Sequence, residues 1–337
     1  MSPTLLAIES SCDETSASVI QGGKVLNNII ATQSVHKNYG GVVPELASRA
    51  HQQNIVPVVN RAIQDANIEK KDLDAIAYTH GPGLLGALLV GASFAKSMAY
   101  SLEVPLIAVN HMQAHILAHF IDEPRPRFPF LCLTVSGGHT QIVRVKNFLD
   151  MEIIGQTMDD AVGEAFDKSA KLMNLPYPGG PLVDKYAQLG DPLKYTFPDS
   201  DVPGLDFSFS GIKTAFLYFL RERLKKESDF LDRNINDICA SLQHSLIQML
   251  LSRLVKASKK LGINEIAIAG GVSANSGLRR SLQEEAKTRG WNIYIPDFQY
   301  CTDNAGMIAM SAHYQYLDKQ FSQLDTSPNP RMKFGYA

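Results

Sequence analysis

A chain of 337 residues that is 45% hydrophobic and 20% charged is an ordinary globular protein rather than a disordered one, long enough for two packed domains. Its formal net charge of −2 lacks the basic excess of a polyanion-binding module, so an RNA partner would have to be met by local patches. The four cysteines, Cys12, Cys132, Cys239 and Cys301, form no C-x-x-C pair, which argues against a disulfide framework or a structural zinc site and predicts free thiols.

The first residues lack a basic segment and reach Glu9 and Asp13 before any long apolar run, so no signal peptide is expected and the cytoplasm is the expected location. Residues 5–20 read as a hairpin: an apolar strand, the polar turn Ser10-Ser11-Cys12-Asp13-Glu14, then an alternating strand. A strand at 74–78, the turn Gly81-Pro82-Gly83, a helix through about Leu102 and a strand at 106–109 follow as a βαβ unit. That helix holds the longest apolar run, 84–90, carried on to Phe94. Lys96 stops the run too early for a bilayer span, which predicts a buried helix. Next comes Asn110-His111-Met112-Gln113-Ala114-His115, and the proline-rich stretch 122–129 reads as a crossing point between halves.

Residues 130–145 repeat the opening hairpin around Ser136-Gly137-Gly138-His139-Thr140. A segment without counterpart in the first half comes after it. It has a helix at 159–173, with acids early and lysines late as the helix dipole favours, and helices near 211–226 and 235–261. Between them Pro178-Gly179-Gly180-Pro181 is expected to be a turn too glycine-rich for regular structure. A second βαβ unit runs from a strand at 265–269 through Gly270-Gly271 and a helix at 276–288 to a strand at 292–295. A last helix, about 304–320, is expected to pack back near the first half. The chain is thus an internal repeat of α/β character.

Two histidines four apart on a helix face the same way, so His111 and His115 can reach one metal ion. Asp303, in Cys301-Thr302-Asp303-Asn304-Ala305, follows the last strand of the second half as His111 follows that of the first, and is the candidate third ligand. The ion is then expected to tie the halves together. Two hydrogen-bonded helix-face histidines are the plainer alternative. A zinc peptidase of the H-E-x-x-H kind is disfavoured, because Met112 stands where its glutamate belongs.

Glycine amides and hydroxyls in the turn 136–140 can cradle a phosphate, or form a plain hairpin turn. Glu9, Asp13 and Glu14 can orient a metal-bound water or the substrate, or be solvated turn acids; Glu9 suits the latter least because it interrupts an apolar strand. Asn275, in Gly270-Gly271-Val272-Ser273-Ala274-Asn275, can meet a purine or cap a helix. Asp167 and Asp184 can accept bonds from ribose hydroxyls or be surface charges. Basic residues at Arg221, Arg223, Lys225 and Lys226, at Arg253, Lys256, Lys259 and Lys260, and at Arg279 and Arg280 can meet RNA phosphates or be solvated helix faces.

Together these motifs, from Glu9-Ser10-Ser11-Cys12-Asp13-Glu14-Thr15 to Asp303-Asn304-Ala305 and including Phe166-Asp167-Lys168 and Phe207-Ser208-Phe209-Ser210-Gly211, resemble one family: the tRNA N6-adenosine threonylcarbamoyltransferases of the TsaD type, once misnamed O-sialoglycoprotein endopeptidases. The resemblance implies the actin, Hsp70 and sugar kinase fold. Its two ribonuclease H-like lobes would be 1–121 with 304–337, and 122–303 with a helical insertion at about 155–262. It implies one divalent ion, Fe2+ or Zn2+, on His111, His115 and Asp303, and an adenylate held by Thr134, Val135, Ser136, Gly137, Gly138, Asp167, Gly180, Asp184 and Asn275. The implied activity moves threonylcarbamoyl from threonylcarbamoyl-AMP to N6 of adenosine 37 in tRNAs reading codons that begin with A. A TsaB-type paralogue and a TsaE-type ATPase are the implied partners, and no membrane is. Rival readings are an acetate or sugar kinase-type phosphotransferase, which the same fold supports, and a nucleotide-gated scaffold.

Overall fold

Leu5, Leu6, Ala7 and Ile8 are all fully buried, so β1 (Thr4–Glu9) is a central strand covered on both faces, as an unbroken apolar run requires. In this computed structural model, residues 2–200 and 202–334 are described. They fall into two units: Met1–Arg125 with Lys146–Glu152 and Pro296–Ala337, and Pro126–Val145 with Ile153–Ile295.

In the first unit β1 pairs antiparallel with β2 (Glu14–Gln21), confirming the hairpin. The short strands β3 (Lys24–Val25) and β4 (Ile29–Thr32) also pair with β2. After α1 (Pro44–Asp65) come β5 (Ala75–Gly81), α2 (Leu85–Leu102) and β6 (Leu106–Asn110), with β1, β5 and β6 parallel. Then α3 (His111–Leu117) follows β6 directly.

Small residues close α2 onto the sheet: Ala87, Leu88, Gly91, Ala92, Ala95 and Ala99 form its buried face. A Cβ at Gly91 would collide with Ser10 Oγ, so a glycine there lets the helix backbone approach the β1–β2 turn. The helix runs to Leu102 as expected, but the expectation that it is buried needs correction: Leu85, Leu89 and Tyr100 lie on an exposed face. Lys96 sits within the helix with its long side chain carrying the ammonium out to the Thr326 carbonyl at 2.6 Å. With 18 residues and a mean hydropathy of 1.3, α2 is long and apolar enough to cross a membrane by length and composition alone, and a third of it is buried.

The second unit repeats the plan. It contains β7 (Phe130–Val135), β8 (Thr140–Val145), β9 (Met151–Gln156), α4 (Val162–Leu172), α5 (Gly179–Ala187), α6 (Ser210–Lys226), α7 (Phe230–Leu261), β10 (Glu265–Ala269), α8 (Ser276–Arg289) and β11 (Asn292–Tyr294). Its sheet order, β9-β8-β7-β10-β11, matches β3-β2-β1-β5-β6 of the first strand for strand. Leu131, Leu133, Ile266 and Ile268 from the sheet and Leu242, Leu246 and Leu250 from α7 belong to one buried core.

Residues 178–181 are not the irregular turn expected from sequence. Pro178 precedes α5, and Gly179, Gly180 and Pro181 form its first turn, where a proline is tolerated because the first N–H groups of a helix have no intrahelical acceptor. After β11, α9 (Phe298–Cys301) leads to α10 (Ala305–Leu317). Both belong to the first unit, where α10 packs against β1 and β2, as expected of the last helix. All four cysteines are free thiols.

Candidate metal centre and active site

The Asn110 side-chain oxygen accepts from the amides of Met112 (2.9 Å) and Gln113 (3.2 Å), so α3 starts at the residue after β6. This puts His111 at the strand end and His115 one turn later, with ring centroids 4.7 Å apart and planes at 88°. Nε2 of each lies 3.3 Å from Asp303 Oδ1. The ligand atoms of the three residues lie within 4.8 Å of one another, so this group could hold a metal ion. All three residues sit in the first unit, a difference from the expected ion shared by two halves. Asp303 lies beyond α9, beside the capping Asn304 of α10, and α10 is built onto the first sheet.

Behind His111 stands Glu9, fully buried, with Oε2 3.1 Å from His111 Nδ1 and Ser11 Oγ at 3.3 Å from the same nitrogen. Glu9 also accepts from the Ser11 amide and, at 2.7 Å, from the Thr79 hydroxyl. Its place among the expected catalytic acids is therefore behind the histidine, with both oxygens committed. A carboxylate on Nδ1 orients the ring and leaves Nε2 for an ion. His115 has no such support, since its Nδ1 is buried without a hydrogen-bond partner among the described residues.

Burial works against a charge on His111, but Asp303 and Glu9 outweigh it and raise the pKa well above the ordinary value. Burial and the neighbouring His111 charge push His115 down. Burial would raise Asp303, yet the His111 charge and both imidazole hydrogen bonds hold it well below the usual carboxylate range. The centre thus favours one positive charge among its donors. Two imidazole nitrogens and a carboxylate oxygen are a donor set that could hold a divalent metal ion.

The acidic turn between β1 and β2 adjoins this centre. Burial, followed by Asp303, Asp13 and Glu9, pushes the Glu14 carboxyl up to about 9, and Glu14 shares a hydrogen bond with Asp13. Burial, Asp303 and Asp13 also push the Cys12 thiol up.

The nucleotide candidates lie in the second unit. Ser136 anchors the 136–140 turn, its amide bonded to the His139 carbonyl (2.8 Å) and its hydroxyl accepting from the His139 amide (3.0 Å), while a Cβ on Gly137 or Gly138 would meet nothing. Thr134 and Val135 are buried at the end of β7. Asp167 is no free surface charge: its Oδ1 accepts from the amides of Gly179 (2.8 Å) and Gly180 (3.0 Å), and burial nevertheless raises its pKa. Asp184 accepts from the amide and hydroxyl of Ser276. Asn275 caps α8 through Leu278 N and donates to Gln243 Oε1 at 2.7 Å, so its capping role is real.

Several expected RNA-facing cations are already engaged. Arg253 binds Asp199 and the Ser200 carbonyl, Arg223 lies 5.6 Å from the Phe219 and Phe230 ring centres, and Arg279 donates to the Ser273 carbonyl. The sequence reading did not single out Ser11, Thr79 or His51 for the site. For His51 a signal exists: it interrupts the buried stripe Ala47, Ile55, Val59 and Ala62 of α1.

The profile of the tRNA N6-adenosine threonylcarbamoyltransferase (TsaD) family matches residues 24–310. A protein of Cytophaga hutchinsonii carrying that name is 61% identical over 335 residues, 99% of this chain and 98% of its own length. This chain belongs to the TsaD family. A Christiangramia forsetii member of the same name is 59% identical over 98% of both chains. Beyond the TsaD family, full-length HypF in a phosphate- and nucleotide-bound form superposes with a TM-score of 0.63 at 15% identity, over 92% of this chain and 46% of the HypF chain. Component A of the Acidaminococcus fermentans (R)-2-hydroxyglutaryl-CoA dehydratase gives 0.54 at 15%, over 94% and 99%. These likenesses are of fold alone: two ribonuclease H-like units of the actin, Hsp70 and sugar kinase type. Membership in a family named for threonylcarbamoyl transfer rather than phosphoryl transfer does not favour the phosphotransferase reading.

Proposed function

We propose that the chain transfers the threonylcarbamoyl group of threonylcarbamoyl-AMP to N6 of adenosine 37 in tRNAs reading codons that begin with A, with one Fe2+ or Zn2+ held by His111, His115 and Asp303. The observation that carries this reading is the His111, His115 and Asp303 cluster, backed by Glu9, in a chain 61% identical to a named family member. A bound ion would supply Lewis-acid polarisation of the carbamoyl carbonyl.

The chain's own groups do the rest. An exocyclic adenine amine is a weak nucleophile, so positioning matters most. Glu9 fixes the ring of His111. The Asp13 and Glu14 pair shares one proton, and Asp13 takes the proton released as the N6–C bond forms and the carbonyl–phosphate C–O bond breaks. Amides of Gly137 and Gly138, in the turn that Ser136 anchors, hold the departing phosphate. Thr134, Val135, Asp167, Gly180, Asp184 and Asn275 complete the adenylate site. A TsaB-type paralogue and a TsaE-type ATPase act with the chain in the cytoplasm.

The test is nucleoside analysis of tRNA incubated with threonylcarbamoyl-AMP and the protein, with and without those partners. The modified nucleoside should appear and should vanish with His111→Ala combined with His115→Ala. Undiminished transfer by that double variant would overturn the metal-centred reading, and labelling of a small acceptor by ATP without tRNA would favour a kinase.

A further inference from the structure

His51 of α1 is fully buried, and its ring meets the acidic turn. Nε2 lies 3.0 Å from the Cys12 carbonyl oxygen and Nδ1 lies 2.8 Å from Thr15 Oγ1. A carbonyl oxygen only accepts, so the ring proton is on Nε2, and Nδ1 accepts a hydrogen bond from the Thr15 hydroxyl. One neutral tautomer satisfies both bonds. Burial supports that state by pushing the ring's pKa down, against the pull of the Cys12 bond.

Cys12 and Thr15 are the immediate neighbours of Asp13 and Glu14 on either side. A rigid ring that grips both flanks fixes the backbone from which the two carboxyls project. The leading side of the turn is tied to α2 and its approach, where Ser10 Oγ donates to the Ala87 carbonyl at 3.0 Å and the Leu84 amide donates to the Ser11 carbonyl at 2.8 Å, while Glu14 and Thr15 pair with Thr32 and Ala31 of β4. Without His51 the side bearing the acids loses its bond to α1, while Asp303 remains among the charges acting on Cys12 and Glu14.

We infer that His51 is a positioning residue for the transfer reaction, clamping Cys12 and Thr15 so that Asp13 and Glu14 are held beside the metal triad. This rests on the proposed role of those two acids. A misplacement on the scale of an ångström at such a group costs roughly tenfold to a hundredfold in rate.

The test compares His51→Leu, His51→Gln and Thr15→Val for transfer from threonylcarbamoyl-AMP to tRNA, each alone and combined with the double substitution Asp13→Asn and Glu14→Gln, with metal content and melting temperature measured on the same preparations. His51→Leu should lower kcat about tenfold or more, leaving KM for tRNA and bound metal unchanged. His51→Gln, whose amide can donate to the Cys12 carbonyl, should recover most of the rate. In the background lacking both carboxylates His51→Leu should add less than about twofold, because its effect passes through groups already removed. A full multiplicative loss there, or an unchanged kcat in His51→Leu alone, overturns the inference. Should His51→Leu fail to fold, Thr15→Val in the two backgrounds makes the same comparison. Wild-type rates in both Asp13→Asn and Glu14→Gln would instead overturn the catalytic reading of the acids, and the inference with it.

Discussion

Glu9 Oε2 stands 3.1 Å from His111 Nδ1, joining the last residue of β1 to the first of α3 across 102 positions of sequence. The contact makes Glu9 a support of the metal centre, and its consequence can be measured. Glu9→Ala removes the acceptor that orients His111, and metal affinity should fall about 10–100-fold. Glu9→Gln keeps an acceptor and should lose less. Equal affinity in Glu9→Ala and wild type, by competition with a coloured chelator, would deny Glu9 this part.

Metal removal should be visible in stability as well as activity. An ion that binds only the folded chain, present at a hundred times its dissociation constant, stabilises by about 2.7 kcal/mol. Dialysis against a chelator should lower the melting temperature and abolish transfer, and Fe2+ or Zn2+ should restore both. An Asp303→Ala chain should melt at the same temperature with and without added metal.

Gly179 tests the second unit. A Cβ there would collide with the Ala170 Cβ on α4, and the Gly179 amide is one of two that Asp167 holds. Gly179→Ala should destabilise by about 1–3 kcal/mol, the range for overpacking, and weaken AMP binding. Urea unfolding and calorimetric titration with AMP read the two effects separately. Gly137→Ala, with open space at its Cβ, should leave stability within about 0.5 kcal/mol of wild type.

Asp159 gives a pH dependence. Burial acts to raise its pKa, but bonds from the Ser208 hydroxyl and from Phe209 and Ser210 outweigh it, so the group titrates below its ordinary 3.8. The folded chain therefore binds fewer protons here than the unfolded one, and the stabilisation is present above the unfolded value and lost as pH falls through the folded one. Asp159→Asn should be less stable than wild type at pH 5 to 6, with the gap closing toward pH 3. A gap constant over that range, measured by urea unfolding, would show that the carboxylate's charge is not the cause.

What the sequence disclosed followed from period and punctuation. The alternating strands on either side of Ser10-Ser11-Cys12-Asp13-Glu14 and of Ser136-Gly137-Gly138 specified both hairpins, and helical spacing paired His111 with His115. Hidden were the facts that depend on which chain segment returns to which sheet. Asp303 is sequentially the end of the second half but is carried by α9 and α10 to the first unit. Gly179 and Gly180 look like turn residues in isolation, yet Asp167, on α4, receives their amides and α5 begins there. Glu9 reads as a polar break in an apolar strand until Thr79 and His111 supply its partners.

The placement of Asp303 also sets an order of events during synthesis. His115 and its carboxylate partner are separated by 188 residues. At about 5–20 residues per second, a ribosome needs roughly 10–40 s to travel from one codon to the other. Throughout that interval the proposed triad has only its two imidazoles. Under the proposed assignment the third donor arrives with the closing segment, and a product truncated before Asp303 would lack it.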